Sequence, residues 1–289
     1  MSQKMFKFLL GRKVTRGLVR LIGCFLISLL CACNVHPQGS SLTAPVLTQP
    51  MRQISDVHPV TNPTGTQPAH LLWAERLIAD LQLKHNKYGS QPTYIKWKGV
   101  DGAKFSRNRT ICSSFITELL KRAYGYKARD IRGWMGVRKP NAARYYAAIE
   151  QQNHFQKINH VQDIQPGDLI AIRYTNATNA SDTARRPSGH VAVVAKEPVR
   201  RDRATSPKVR GTIQYELTVI DSSHSGHGSS DTRRLPDQTW GDAGAGMGTM
   251  RLYTDEQGQV VGHTWSLSAR SKYYDQTVRT LSIGRFKPL

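Results

Sequence analysis

Cys112 is the residue of this sequence whose type and position best suit chemistry. It begins an amphipathic segment, residues 112–124, whose apolar residues recur at helical spacing and which stops before Gly125. The amino end of a helix stabilises an anion, and Arg107 and Arg109 lie just before the cysteine. Both conditions favour a thiolate by lowering the pKa of a thiol below about 8.5. The alternative is a buried cysteine that packs as a small apolar residue.

A thiol nucleophile needs a general base, and His190 is the best-placed histidine. It begins a strand-like segment that continues through residues 191–194 and fixes its backbone. Gly189, which has no side chain, is expected to leave room for a substrate. Thr110 is a plausible cap for the helix that Cys112 begins. A cysteine at a helix start and a histidine at a strand start together indicate nucleophilic acyl chemistry.

Three stretches resemble motifs of the NlpC-like and CHAP cysteine peptidases, which have a papain-like architecture. They are Thr-Ile-Cys-Ser-Ser-Phe at 110–115, Ile-Gln-Pro-Gly-Asp-Leu-Ile at 164–170 and Gly-His-Val-Ala-Val-Val at 189–194. Their order and spacing agree with the family over about residues 107–221. Ile111 departs from the pattern, because many members have Asp before the cysteine. The resemblance implies a cofactor-free cysteine hydrolase with Cys112 as nucleophile and His190 as base.

The resemblance also implies a third polar residue on the strand that follows the histidine. That strand is Leu217–Ser223, and its alternation puts Val219 and Asp221 on one face. Asp221 therefore ends the strand where an acceptor could orient the imidazole of His190. His224, three residues later in a Gly/Ser loop, is the rival for this role, and a turn-forming aspartate is the alternative for Asp221.

A metal site is the other chemistry that this loop could support. His224 and His227 form a histidine pair close to Asp221. A closed structural zinc site takes four ligands, and no further ligand cluster accompanies the pair. The sequence therefore predicts neither a metal nor another cofactor.

Three helices are predicted to precede the strands. The first has apolar residues at helical spacing from Leu71 to Leu81 and is expected to end by Gly89. The second is residues 112–124. The third begins at Pro140, a residue suited to the first helical turn, and continues to about Gln152.

The hydrophobic period then changes to that of strands, separated by loops rich in Gly, Ser, Asp and Pro. The predicted strands are Leu169–Tyr174, His190–Ala195, Ile213–Asp221, Thr249–Tyr253, Gln259–Trp265 and Thr280–Arg285. Helices followed by strands predict an α+β domain, with N-terminal helices packed on an antiparallel sheet of about five to six strands. The glycine-rich stretch 241–248 is expected to be a flexible rim, and the five tryptophans are expected to pack.

The N-terminus has the layout of a bacterial secretory signal. Six Lys or Arg residues within 1–20 precede an apolar segment, Leu21–Ala32, that is shorter than the about 20 residues needed to span a bilayer. Leu-Cys-Ala-Cys at 30–33 resembles a lipoprotein cleavage box, which implies lipidation of Cys33 and, with Asn34 after it, sorting to the outer membrane. An uncleaved anchor and cleavage before Cys31 are the alternatives.

The sequence thus divides into three parts: a signal peptide at 1–32, a lipidated linker at 33–68 and a hydrolase domain at 69–289. The linker is rich in Pro, Thr, Ser and Gln and cannot bury a core. Two cysteines leave with the signal and one is lipidated, so Cys112 would be the one free thiol of the mature protein.

The formal net charge is +21, and loss of the six signal-peptide cations leaves about +15. This excess favours anionic partners, although it also serves solubility. Export excludes nucleic acid, so we expect peptidoglycan or another anionic envelope polymer as partner, with the membrane reached through the lipid anchor. The predicted location is the bacterial cell envelope, facing the periplasm.

The expected activity is hydrolysis of amide bonds in peptidoglycan peptides by Cys112, His190 and Asp221, a thiol peptidase or amidase activity. Two other functions remain open. The domain could be a non-catalytic binding module of the envelope, or an acyl or amide transferase with the same nucleophile. Hydrolysis and transfer both pass through a thioester, so the sequence does not separate them.

Overall fold

The structure, a computed structural model, describes residues 67–175, 188–235, 237, 239, 241 and 243–289. The predicted signal peptide, lipidated Cys33 and nearly all of the linker lie outside these residues. Within the described part of the chain, no helix is both long and apolar enough to cross a membrane. The first element begins at Ala69.

In the described part of the chain, four α-helices come before every strand of the large sheet, which confirms the predicted α+β class. They are α1 (Ala69–Asp80), α2 (Cys112–Tyr124), α3 (Ala128–Met135) and α4 (Ala142–Glu150). The prediction for α2 is confirmed, and Gly125 ends it in the left-handed conformation with φ of 73°. Gly89 does not end the first helix, which stops at Asp80. The sequence reading missed α3.

The large sheet has nine strands and is therefore larger than the predicted five to six. Its strands are β4 (Phe155–Ile158), β5 (Leu169–Tyr174), β6 (Gly189–Val194), β7 (Val199–Arg200), β8 (Ile213–Ser223), β9 (Gly244–Thr254), β10 (Val260–Thr264), β11 (Tyr273–Asp275) and β12 (Arg279–Phe286). Their order is β11-β10-β9-β8-β6-β5-β12-β4, with β7 beside β8 and every pairing antiparallel. All six predicted strands are present. The missed strands β4, β7 and β11 have two to four residues and give no clear alternation.

Each face of the sheet covers its own hydrophobic core. Val191 and Val193 of β6 pack with the buried residues of α1, α2 and α4. Ala192 and Val194, on the other face, belong to a second core that contains residues of β5, β8, β9 and β12. By alternation along β6, His190 projects from the second-core face. His190 is therefore positioned by a strand that is buried on both sides.

A small sheet connects the helical layer to β9. It consists of β1 (Asn86–Tyr88), β2 (Tyr94–Lys96) and β3 (Arg107–Thr110), with β3 in the middle. Only Ile111 separates β3 from the first residue of α2. This sheet therefore sets the position at which α2 begins.

Candidate active site

Cys112 is the first residue of α2 and is the free cysteine of the described part of the chain. Its exposed fraction is 7%. The helix is capped by Ser114, whose hydroxyl accepts the backbone N–H of Ile111 at 3.0 Å. Thr110 is not the cap, because its hydroxyl donates to Asn108 Oδ1 at 2.7 Å. The first N–H groups of a helix have no intrahelical acceptor, so those near Cys112 can receive an anion.

A buried polar chain fixes the backbone immediately before Cys112. The hydroxyl of Ser222, next to Asp221 on β8, donates to the carbonyl of Thr110 at 2.9 Å. Asn108 donates to Asn86 Oδ1 at 2.9 Å, and Asn86 bonds both the N–H and the carbonyl of Ala245 on β9 at 2.8 and 2.7 Å. These bonds attach the start of α2 to two strands of the large sheet.

The two arginines that precede Cys112 do not take part as predicted. Asn108 and Thr110 are buried on one face of β3, whereas Arg107 is exposed and Arg109 is half-buried on the other. No contact joins either arginine to the thiol within the described residues. The expectation that they stabilise a thiolate directly is wrong, because strand alternation turns them away from the buried face.

His190 connects Cys112 to Asp221. Its Nε2 lies 2.7 Å from Asp221 Oδ2, and its ring interacts with Cys112, toward which Nδ1 remains available. Burial opposes the charged ring, but the negative charge of Cys112 and the bond to Asp221 outweigh it and raise the pKa of His190 to about 9. Gly189 does not leave room for a substrate. A Cβ there would collide with the carbonyl oxygen of Ile172, so the close approach of β5 requires glycine.

Asp221 is completely buried and remains ionised because several cations surround it. Burial opposes its charge, but Arg233, His227 and the bond from His190 hold the pKa of this carboxyl well below its usual range. Arg233 Nη1 lies 3.0 Å from Oδ1. Oδ2 receives both imidazoles, with His227 Nε2 at 2.9 Å.

His227, not His224, is the second histidine at Asp221. Its Nδ1 faces the carbonyl of Trp265 at 2.8 Å while its Nε2 faces Asp221. Both partners accept only, so the ring satisfies both as an imidazolium. His224 is exposed, with its ring centroid 4.1 Å from that of Tyr88. The rival assignment of His224 to the third position therefore has no contact to support it.

A second buried ion pair supports Asp221 from behind. Arg233 bonds Asp231 through Nε and Nη2, both at 2.7 Å, and donates to Ser223 and to the carbonyl of Gly244. Asp231 also accepts the backbone N–H of His227 at 2.7 Å. Neither Arg233 nor Asp231 carries a motif, and the sequence reading missed both.

Glycines of β9 provide the space for this network. The prediction that residues 241–248 form a flexible rim is therefore partly wrong. Residues 244–248 belong to the eleven-residue strand β9. A Cβ on Gly246 would collide with Nε of Arg233, and a Cβ on Gly248 would lie 2.6 Å from Oδ2 of Asp231. Alternate glycines at 244, 246 and 248 are the sequence signal that could have indicated a strand against bulky buried groups.

Trp265 covers both imidazoles. Its ring centroid lies 4.7 Å from that of His190, edge on, and 4.3 Å from that of His227, stacked. It follows directly after β10, and the sequence analysis expected it only to pack. The ring shields the hydrogen bonds to Asp221 from solvent, which strengthens them.

No group of three or more His, Cys, Asp or Glu side chains in the described ranges is arranged to hold a metal. The imagined metal pair is not formed, because His224 contacts Tyr88 and His227 contacts Asp221. The side chains of His227 and Asp221 already make hydrogen bonds to each other and to other groups of the protein.

The fold and this site define an α+β protein with a buried Cys-His-Asp chain. It belongs to the same family as the uncharacterized protein R653 of Acanthamoeba polyphaga mimivirus. The two are 30% identical over 225 residues, which are 76% of this chain and 96% of the viral protein. No family model matches the chain, and no solved structure matches it significantly.

Proposed function

We propose that this protein is a cysteine hydrolase that cleaves amide bonds. The observation that carries the proposal is the continuous contact from Cys112 through His190 to Asp221, with the cysteine at the start of a helix. Nucleophile, base and orienting acceptor in hydrogen-bonding order are the arrangement that nucleophilic acyl catalysis requires. A purely structural cysteine needs neither the histidine nor the buried carboxylate.

The reaction follows from these contacts. His190 Nδ1 holds the proton that it has taken from the thiol while Cys112 Sγ attacks the carbonyl carbon, and the oxyanion is held by free N–H groups at the start of α2. The tetrahedral intermediate expels the amine, which takes the proton from His190, and a thioester remains. Water then attacks the thioester with His190 as base, which releases the acid and restores the thiol. Asp221 keeps Nε2 protonated and the ring oriented.

The papain-like architecture belongs to the same proposal. In this structure the order is a helix that begins at the cysteine, a strand that begins with Gly189 and His190, and the next long strand with Asp221 near its end. The NlpC-like and CHAP peptidases have this order. The four helices on one face of an antiparallel sheet agree with it at the level of the class.

We propose the peptide part of peptidoglycan as the substrate. Supporting this are the lipoprotein-like N-terminus, which would keep the domain at the envelope, and the net charge of +21, which favours a polyanionic layer. Cleavage of the glycan by the usual route needs two carboxylates across a cleft, whereas this site offers thiol chemistry. A transferase would form the same thioester and pass it to an amine or hydroxyl.

The test is digestion of purified peptidoglycan by the full-length protein, with mass analysis of the products. We expect soluble peptides that carry one added water per cleaved amide, and no product from Cys112→Ala. His224→Ala, a surface change directly after the end of β8 in the same loop as His227, serves as the matched control and should retain activity. Products that carry an acceptor instead of water would identify a transferase. Intact muropeptides, with Cys112 reduced and reactive, would contradict hydrolysis.

A further inference from the structure

Arg279 is a cation on the same sheet face as His190 and lies two strands away from it. Tyr174 on β5 is directly opposite Arg279 on β12, and Ile172, two residues before Tyr174, is directly opposite His190 on β6. Because paired residues share a face and the side chains alternate, all four project toward the second core. Ile172 and Tyr174 indeed pack there.

Two aromatic rings hold the guanidinium of Arg279. Its central carbon lies 4.3 Å from the ring centroid of Tyr174 and 3.5 Å from that of Tyr274 on β11. Stacking between rings fixes a guanidinium in direction while leaving its N–H groups free to donate. The ammonium of Lys272 lies 5.4 Å from the same Tyr274 ring and adds a second positive charge.

No carboxylate within the described residues forms an ion pair with Arg279. The carboxylate closest in sequence, Asp275, accepts from Thr277 and Val278 instead. Among the described residues, Arg279 therefore has no carboxylate to balance its positive charge.

His263 adds a buried polar group to the same face. It pairs with Leu252 of the second core on one side and with Tyr274 on the other. Its side chain is 1% exposed, and neither ring nitrogen has a hydrogen-bond partner. Burial, together with the charges of Arg279 and His190, lowers its pKa to about 3, so it is a neutral group that can donate one hydrogen bond. Such an unsatisfied buried group is uncommon and needs an explanation.

Tyr174 lies between Arg279 and His190 on this face. It is opposite Arg279, and Ile172, two residues before it on β5, is opposite His190. Burial raises the pKa of its phenol, whereas the neighbouring Arg279 lowers it. A substrate whose carbonyl is at Cys112 could extend past Tyr174 to Arg279.

We propose that Arg279 is a specificity-determining residue that binds a carboxylate of the substrate. The site would then act on acidic peptides or acyl groups that carry a free carboxylate a few bonds from the scissile amide. His263 is a buried neutral donor next to the ring that holds Arg279, since its ring centroid lies 5.8 Å from that of Tyr274. The inference deepens the proposed hydrolase function and names its substrate class.

Matched alkylating reagents test this without knowledge of the natural substrate. N-bromoacetyl-glycine and its carboxamide differ only in the carboxylate, and each reacts with Cys112 through the same bromomethyl carbon with loss of bromide. We compare the ratio of their second-order rate constants, carboxylate over carboxamide, in the full-length protein and in Arg279→Gln. A charge-assisted contact in a half-exposed site should make the ratio about tenfold higher in the wild type.

Arg173→Gln is the matched control, because Arg173 neighbours Tyr174 on the opposite face and stacks on Tyr146 at 4.8 Å. This variant should keep the wild-type ratio. Arg279→Lys, which keeps the charge but not the planar fork, should give an intermediate ratio and also guards against a folding defect in Arg279→Gln. A ratio that is equal in the wild type and Arg279→Gln would overturn the inference and leave the hydrolase proposal intact. A Cys112 that reacts with neither reagent would contradict both.

Discussion

Asp221 is held by more partners than an orienting residue needs. One of its oxygens serves His190 and His227, and the other faces Arg233. A carboxylate buried without these partners would be strongly destabilised. The network therefore keeps Asp221 charged, and the charge keeps the proton of His190 on Nε2 and its Nδ1 directed to Cys112.

Replacing Asp221 by Asn tests this arrangement. An amide keeps the size but not the charge, so we expect turnover to fall by about 10²–10⁴-fold, by analogy with the Ser-His-Asp triad. His227→Gln, which removes one partner of the carboxylate, should cost less than Asp221→Asn but more than His224→Ala. The measurement is kcat/KM on a soluble peptide substrate. A larger loss in His224→Ala than in Asp221→Asn would return His224 to the third position.

The pH dependence of turnover should report the cysteine–histidine pair. His190 carries the proton for the leaving amine, and its pKa of about 9 means that it keeps this proton at neutral pH and loses it as pH rises through about 9. The kcat/KM profile should therefore have an alkaline limb near pH 9 that belongs to the coupled pair.

In Asp221→Asn, the hydrogen bond and the charge that raise this pKa are lost, so the limb should move to lower pH. The shift should be partial, because Cys112 also raises the pKa. An unchanged limb in Asp221→Asn would indicate that another group titrates there.

At the scale of elements, the sequence predicted the helices and strands that have a clear hydrophobic period. Helix α2 and five of the six longer strands were predicted within two residues of their observed bounds, because each carries a long apolar stripe or a clear alternation. The sixth, β9, begins five residues before the predicted Thr249. Motif order also indicated Cys112, His190 and Asp221, which the structure brings together. Their catalytic role stays a prediction.

The remaining residues of the site are brought together by tertiary contacts, which hydrophobic periodicity does not show. His227 and Arg233 lie in a loop without regular spacing, and only the fold brings them to Asp221. Trp265 contacts the ring of His190, although it lies 75 positions later in the sequence. The glycines of β9 looked like a flexible loop because glycine is typical of both loops and close-packed strands.

Gly246→Ala should reveal the packing role of β9. The added methyl group would meet the side chain of Arg233 and displace it from Asp221. We expect unfolding free energy to fall by about 1–3 kcal/mol, as for other overpacked sites, together with a loss of turnover. Denaturant unfolding and kcat measure the two effects.

Gly133→Ala is the control for Gly246→Ala. Gly133 lies inside α3, where a Cβ would have no neighbour within 4 Å, so alanine should stabilise the helix by up to about 1 kcal/mol. If Gly246→Ala behaved like Gly133→Ala, β9 would not be packed against Arg233 as described.

For the whole molecule, the proposed envelope location rests on lipidation of Cys33, which lies outside the described part of the chain. If Cys33 receives the lipid, cells fed labelled palmitate should label the wild-type protein and not Cys33→Ala. Cys31→Ala serves as the matched control and should remain labelled. Two acyl chains anchor a protein firmly where one does not, so the labelled protein should fractionate with membranes. Label in Cys33→Ala would contradict the lipoprotein interpretation.

The last prediction rests on the net charge, which is +21 for the full sequence and about +15 once the six cations of the predicted signal peptide are lost. Attraction between the whole protein and an anionic wall acts over distances that salt screens, about 8–10 Å at physiological ionic strength. Sedimentation of the Cys112→Ser protein with purified peptidoglycan should therefore weaken steadily as salt rises. Cleavage of a short soluble muropeptide by the wild type should change much less, because its contacts lie within the buried site, apart from the half-exposed Arg279. A wall affinity that does not respond to salt would mean that shape and local contacts, not overall charge, bring the domain to its polymer.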